Sequence, residues 1–225
     1  MWIEKIIGID KPNQHADTSA KRFNNSLKMA ATCRFIASTR LKHLGVMTSH
    51  ATTILSLFLI LIPLLQIAGV RFRLSDELLS SIQIFLAVCI LVYSVINAQA
   101  KYSLRAEKLN LCGNKIKKLQ RKLDYEICLG VDIDLVDYMD KYVEIEVDSE
   151  NHARSDYYFA RLRSPDLYKI TGVKRLLLWV NAIKREFFSY MGMVLMYALV
   201  ILIFIDLLTD YSPLSNHLMK LAIVG

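Results

Sequence analysis

Twenty-three consecutive residues, Leu78 to Ala100, carry no charge and lie between Glu77 and Lys101. As a helix they would rise roughly 34 Å, enough to cross a bilayer's hydrocarbon core. A second uncharged run, Ala51 to Val70, comes just before, and within it Ile54 to Val70 holds twelve Leu, Ile, Val or Phe. Those side chains contribute about −4 to −7 kcal/mol towards insertion, opposed by Gln66 and Pro63. Pro63 lacks a backbone donor and predicts a kink, tolerated in lipid where a hydroxyl or a neighbouring helix restores the bond. Only seven residues, Arg71 to Glu77, separate the runs, so the two spans must form an antiparallel hairpin.

A third run, Phe187 to Ile205, contains eleven Leu, Ile, Val or Phe among nineteen residues, with Tyr190 and Tyr197 as candidate interfacial aromatics. It reads as a third span, because a helix apolar on every face has nowhere to be buried in so small a cytosolic part. Leu176, Trp179, Val180, Ile183 and Phe187 form an interfacial lead-in to it. The expected fold is therefore an all-α membrane protein: a transmembrane hairpin at about residues 51–70 and 78–100, cytosolic helices, and a third C-terminal transmembrane helix at 187–208. The rest divides into an N-terminal segment 1–17, a hairpin-bearing region 18–123, an acidic then basic and aromatic helical region 124–186, and a tail 209–225. Met1 to Asp17 holds acids, a Pro and no apolar run, so it does not read as a signal peptide, and the first span is expected to direct insertion.

Orientation follows from Lys and Arg. Lys21, Arg22, Lys28, Arg34, Arg40 and Lys42 precede the first span, with no acid between Asp17 and Asp76. A second basic block, Lys101 to Lys122, follows the second span with Glu107 as its one acid. Both flanks are expected on the cytoplasmic side of the membrane, leaving the short hairpin turn outside. Lys174, Arg175, Lys184 and Arg185 before the third run, against Asp206 and Asp210 after it, place the tail outside.

In the cytosolic part, Phe23, Leu27, Ala30, Arg34 and Ala37 trace a helical stripe that continues towards the first span, and its basic face suits anionic headgroups. Leu109, Cys112, Ile116, Leu119 and Leu123 alternate by three and four, a seam of about two heptads for pairing within or between subunits. From Asp124 to Glu150 there are ten acids and one base, a solvated face that offsets the basic helix before it. Asp132 and Asp134 alone make a poor Mg²⁺ site, so no metal is expected. Ser164-Pro165-Asp166 carries the signals of a helix start. Around it, Tyr157, Tyr158, Arg161, Arg163, Tyr168 and Lys169 suit either contact with a nucleotide or partner, or snorkelling beside the membrane.

Catalytic signatures are absent: there is no Walker A, G-x-G-x-x-G, H-E-x-x-H or G-x-S-x-G sequence, so neither an enzyme nor a cofactor is expected. Cys33, Cys89, Cys112 and Cys128 are too scattered for a zinc site or a disulfide framework. The informative polarity lies in the hairpin, where Ser49, Thr52, Thr53 and Ser56 face the cytosolic end of the second span. Ser94 and Asn97 lie at that end, and with Gln83 towards the other end they trace one stripe along that helix. Such a stripe either joins helices by hydrogen bonds or, in an oligomer, lines a weakly polar pore closed by dewetting.

The basic helix, the hairpin and the stretch Arg105-Ala106-Glu107-Lys108-Leu109-Asn110 together resemble the SLATT domain, a two-span bacterial effector, and within it the fifth subfamily. The resemblance is best over Ala20 to Lys122; the third span departs from the two-span pattern. It implies an anti-phage defence effector that oligomerises, perforates or depolarises the inner membrane, and arrests the infected cell by abortive infection. It also implies a nucleotide second messenger or a neighbouring-gene partner, such as a nucleotide-synthesising sensor or a reverse transcriptase; direct DNA binding is not expected. The alternative from another class is a non-conducting anchor that holds such a partner at the bilayer.

Overall fold

The computed structural model describes residues 10–12, 19–69, 75–147 and 149–208, without the side chains of 10–12 and of eleven positions after Phe187. Its elements are a strand β1 (Asp10–Pro12), then helices α1 (Ser19–Ile67), α2 (Asp76–Ala100), α3 (Tyr102–Leu129), α4 (Leu135–Val147) and α5 (Arg154–Arg163), a strand β2 (Tyr168–Ile170), and α6 (Gly172–Leu208). Two of these helical runs, α1 and the one beginning with α2, are long and apolar enough to cross a membrane. The tail 209–225, most of the segment 1–17 and residues 70–74 of the hairpin turn lie outside the described residues.

Local chemistry sets the boundaries. Ser75 caps α2 by accepting a bond from the Leu78 N–H at 3.3 Å, and Asp76 and Glu77 occupy the first turn, where the helix dipole favours negative charge. The helix ends at Lys101, which sits in the left-handed region at φ 45°, and α3 starts at the next residue. Gly130, at φ 66°, ends α3 in the conformation that glycine adopts without steric cost. Asp134 caps α4, its Oδ1 accepting from the N–H groups of Val136 at 3.0 Å and Asp137 at 3.3 Å. One half of the D-x-D pair is thereby engaged in holding a helix end.

The chain divides into two compact units, each discontinuous in sequence: residues 1–43 with 102–189, and 44–101 with 190–225. In the first, the seam expected on α3 is realised within one chain. Leu109, Cys112, Ile116, Leu119 and Leu123 are all buried, and Cys112, Ile116, Leu119 and Leu123 pack with Leu27 and Ala31 of α1 and Tyr138 of α4. The α1 stripe is likewise inward, with Leu27, Arg34 and Ala37 buried and Ala30 partly so. Gly113 permits the close approach of α3 to α1, because a Cβ there would meet the Phe35 ring at 3.0 to 3.2 Å. Lys117 lies over that ring at 5.9 Å. A second cluster joins Met29, Cys33 and Ile36 of α1 to Ala160 of α5 and to Leu167.

One local expectation fails in this unit. Ser164-Pro165-Asp166 does not start a helix: Ser164 closes α5, and its carbonyl accepts from Leu167 at 3.1 Å and Tyr168 at 3.0 Å in a turn. The chain then enters β2, which pairs antiparallel with β1 in the register Asp10 to Ile170, Lys11 to Lys169 and Pro12 to Tyr168. The capping signal is locally correct, but Asp166 pairs with Lys28 of α1 and the backbone beyond it finds a strand partner. This two-stranded ribbon is a small addition to the expected all-α architecture.

Candidate functional site

In the unit containing the hairpin, α1 and α2 meet along a seam of alternating three- and four-residue steps. Thr48, Ala51, Leu55 and Ile62 are its buried positions on α1; Leu79 and Leu86 are those on α2, with Gln83, Ile90 and Asn97 partly buried on the same stripe. Val200 of α6 joins this cluster. A polar bond closes the seam near each end. Thr48 Oγ1 and Asn97 Oδ1 stand 2.8 Å apart at the expected cytosolic end, and Gln83 Nε2 donates to Gln66 Oε1 at 3.1 Å near the turn. Thr48 Oγ1 also lies 2.8 Å from the Leu44 carbonyl and 2.9 Å from that of Gly45. One hydroxyl proton cannot serve three acceptors. The consistent assignment turns the Asn97 amide so that its NH₂ donates to Thr48, whose proton goes to the backbone.

The remaining polar residues of the first span lie beside this seam. Thr52 and Ser56 are half-buried, Ser49 and Thr53 exposed. The hydroxyls of Thr52, Thr53 and Ser56 donate to the carbonyls of Thr48, Ser49 and Thr52 at 2.9, 3.0 and 2.9 Å. A hydroxyl satisfied by its own helix carries little cost in lipid. Ser94 is half-buried beside Asn97 on α2. Elsewhere the hairpin surface is apolar: Leu57 is 61% exposed, Ile84 68% and Leu91 65%. A soluble protein does not leave such a patch uncovered. Two helices packed seam to seam enclose no lumen, so conduction by this hairpin requires further copies or a separated seam.

The third apolar run is helical throughout, within α6. The exposed side chains that lead into it, Leu176, Trp179, Ile183 and Phe187, stand beside Arg175, Lys184 and Arg185, a mixture suited to a bilayer interface.

The basic and aromatic group in the unit of residues 1–43 and 102–189 is brought together only in part. Arg161 lies over the rings of Tyr168 at 4.9 Å and Tyr157 at 5.8 Å, and Tyr157 stands 6.5 Å from Tyr158. Tyr157 and Tyr168 also pack on the Met29, Cys33 and Ile36 cluster, so these rings serve the fold. Arg163 and Lys169 are exposed.

Sequence reasoning missed the buried charge network. Asp156 is fully buried, with Oδ1 accepting from Arg40 Nε at 2.9 Å, Oδ2 from Arg40 Nη2 at 3.1 Å, and Oδ2 also from the Ala153 N–H at 2.8 Å. Arg34, 3% exposed, bonds Glu146 at 2.9 Å and the Glu150 carbonyl. Tyr142 donates to the same Glu146 carboxylate at 2.7 Å. Arg34, Arg40 and Lys28 thus face acids of this chain rather than headgroups, and the acidic block is partly their counterpart. Burial, assisted by Asp156, pushes the Cys33 thiol up to about 12, so it stays protonated. Burial also raises the Glu186 carboxyl and, with the Arg34 charge, lowers the His152 imidazole. The one sequence signal for this network was Arg34 and Arg40 falling on or beside the apolar stripe of α1.

The Arg-Ala-Glu-Lys-Leu stretch is explained by its contacts. Arg105 pairs with Glu150 at 2.8 Å, Ala106 is buried with its carbonyl accepting from Ser38 at 2.7 Å, and Leu109 is buried beneath them. All four cysteines are free thiols. Among the described residues, no group of three or more His, Cys, Asp or Glu is placed to hold a metal ion.

A family model described as the SMODS and SLOG-associating 2TM effector domain family 5 matches residues 16–207. No curated protein matches, and no solved structure does.

Proposed function

The chain belongs to the SMODS and SLOG-associating two-span effector domain family, and on that premise we propose that it forms a regulated pore in the bacterial inner membrane. In this reading it acts in anti-phage defence: copies assemble through their spans, the membrane depolarises, and the infected cell stops growing. The N-terminus is cytoplasmic, the apolar run of α6 is a third span, and the C-terminus is external, in keeping with the basic residues flanking each run.

The observation that carries this reading is the division of polarity in the hairpin. Midway along the helices the exposed surface is apolar, with Leu57, Ile84 and Leu91 outward, while Thr48, Gln66, Gln83 and Asn97 bond one another across the seam. A signal that separates the seam would present the Ser94 and Asn97 face to a shared axis and exchange the Thr48 bond for water. Such a switch needs a ligand or partner with differential affinity for the two states. No Asp, Glu, Lys, Arg or His lies deep in either span, so ion selectivity would be weak. The test is dye-coupled ion flux in proteoliposomes: Ser94→Leu with Asn97→Leu should abolish flux at unchanged insertion. Equal flux from the double variant removes both residues from the pore.

The closed bonds at both ends of the seam also favour a second reading, a passive anchor for a partner enzyme. In that case a stable pull-down of the partner accompanies an absence of flux.

A further inference from the structure

A cleft of about 590 Å³ opens between α3 and α4 in the cytosolic unit. Lys115, Lys118 and Lys122, on one face of α3, form one wall, and Lys141 and Glu144 of α4 form the other. The floor is apolar, made by Leu119 and Ile145. Two of the four ammonium groups have local partners. Lys122 lies 3.8 Å from Glu126 and over the Tyr138 ring at 5.7 Å, and Lys141 pairs with Asp137 one turn earlier. Lys115 and Lys118 pair with no acid among the described residues.

We propose that this cleft binds an organic phosphate: a small molecule with at least two negative charges on a flat or apolar body. The volume falls in the range of ligand sites, about 300–1,000 Å³. Lysine binds phosphate as a point charge on a flexible stem, and the two unpaired ammonium groups, one turn apart on α3, can converge on one polyphosphate chain. The stems of Lys115 and Lys118 with Leu119 and Ile145 supply an apolar surface for a ring. Glu144 repels a second anion at that wall and accepts from a ring amine or a hydroxyl. The same phosphate chemistry can come from a free molecule or from an anionic lipid headgroup. The proposal deepens the pore reading by naming a signal that acts on α3, which follows span α2 after the single residue Lys101; that consequence rests on the pore reading, whereas the binding does not.

The test uses the full chain in zwitterionic nanodiscs, titrated by calorimetry with ATP, with tripolyphosphate, and with dihexanoyl phosphatidylglycerol. ATP should bind more tightly than tripolyphosphate. Lys115→Gln with Lys118→Gln should weaken it about tenfold or more, and Glu144→Gln should strengthen it a few-fold. Lys108→Gln, exposed on α3 outside the cleft, should leave it unchanged. Lysine-dependent binding of phosphatidylglycerol alone, which carries a single charge, overturns the assignment to a polyanion. Absence of saturable binding, or binding indifferent to the Lys115 and Lys118 changes, overturns the proposal. Flux measured in parallel separates the two readings: binding without conductance contradicts the pore and leaves the cleft in place.

Discussion

The two compact units are held together by different physics. In the hairpin unit no ion pair joins the described residues; cohesion comes from Leu55, Ile62, Leu79 and Leu86 and from three side-chain bonds between helices. In the other unit a buried carboxylate, two inward arginines and a set of cross-helix pairs sit among the apolar clusters. The contrast follows from solvent. In lipid an unpaired charge has no water to return to, so polarity is limited to hydroxyls and amides that satisfy one another. Beside water, a charged network can be built and also unsettled by pH or by a bound anion. On the proposed reading, the unit with the charged network receives the signal and the hairpin carries out the response.

The largest expected effect in breaking this contrast is at Asp156. Asp156→Ala removes the buried carboxylate that accepts from both Arg40 and the Ala153 N–H, and should destabilise the unit that holds it by about 3–5 kcal/mol. Hydrogen exchange by mass spectrometry should show loss of protection in α5 and the facing part of α1, with the hairpin unchanged. Gly113→Leu comes next, since the added side chain must displace the Phe35 ring; about 1–3 kcal/mol is expected, read as a lower thermal midpoint.

The effect of pH has a defined sign. Burial and the Arg34 charge hold His152 below its ordinary 6.5, against the opposing pull of Asp156 and Glu146. As pH falls through 6.5 the unfolded chain takes up this proton first, so stability is full above that value and declines below it. Glu186, raised by burial, works the other way: the folded state is favoured as pH falls towards the carboxyl range. Urea unfolding between pH 7.5 and 5.5 should therefore show a destabilisation that His152→Gln removes. The smallest effect belongs to the hairpin, where Asn97→Leu should cost only about 0.6–1.7 kcal/mol, in keeping with bonds between membrane helices. A loss there as large as at Asp156 would erase the contrast.

Patterns repeating within one helix were legible in the sequence. Residues Leu109 to Leu123 announced the α3 seam by their three-and-four spacing, and the two uncharged runs announced the hairpin. Pairings across distance were not legible. Arg40 and Asp156 are 116 positions apart, and the ribbon joins Lys11 to Lys169; neither leaves a periodic trace. Ser164-Pro165-Asp166 shows the converse, a correct local signal overridden by Lys28 and by a strand partner. In the candidate site, Asn97 stood out as a polar residue in a span, but its partner Thr48 did not, because a threonine in a run of hydroxyl residues carries no sign of which one faces the seam.

Membrane potential in bacteria expressing this chain with its genomic neighbours, followed by a voltage-sensitive dye during phage challenge, tests the pore most directly. Depolarisation that precedes loss of viability, and is absent in Ser94→Leu with Asn97→Leu at equal membrane levels, is the predicted result. A potential that holds while protection against phage persists would contradict it.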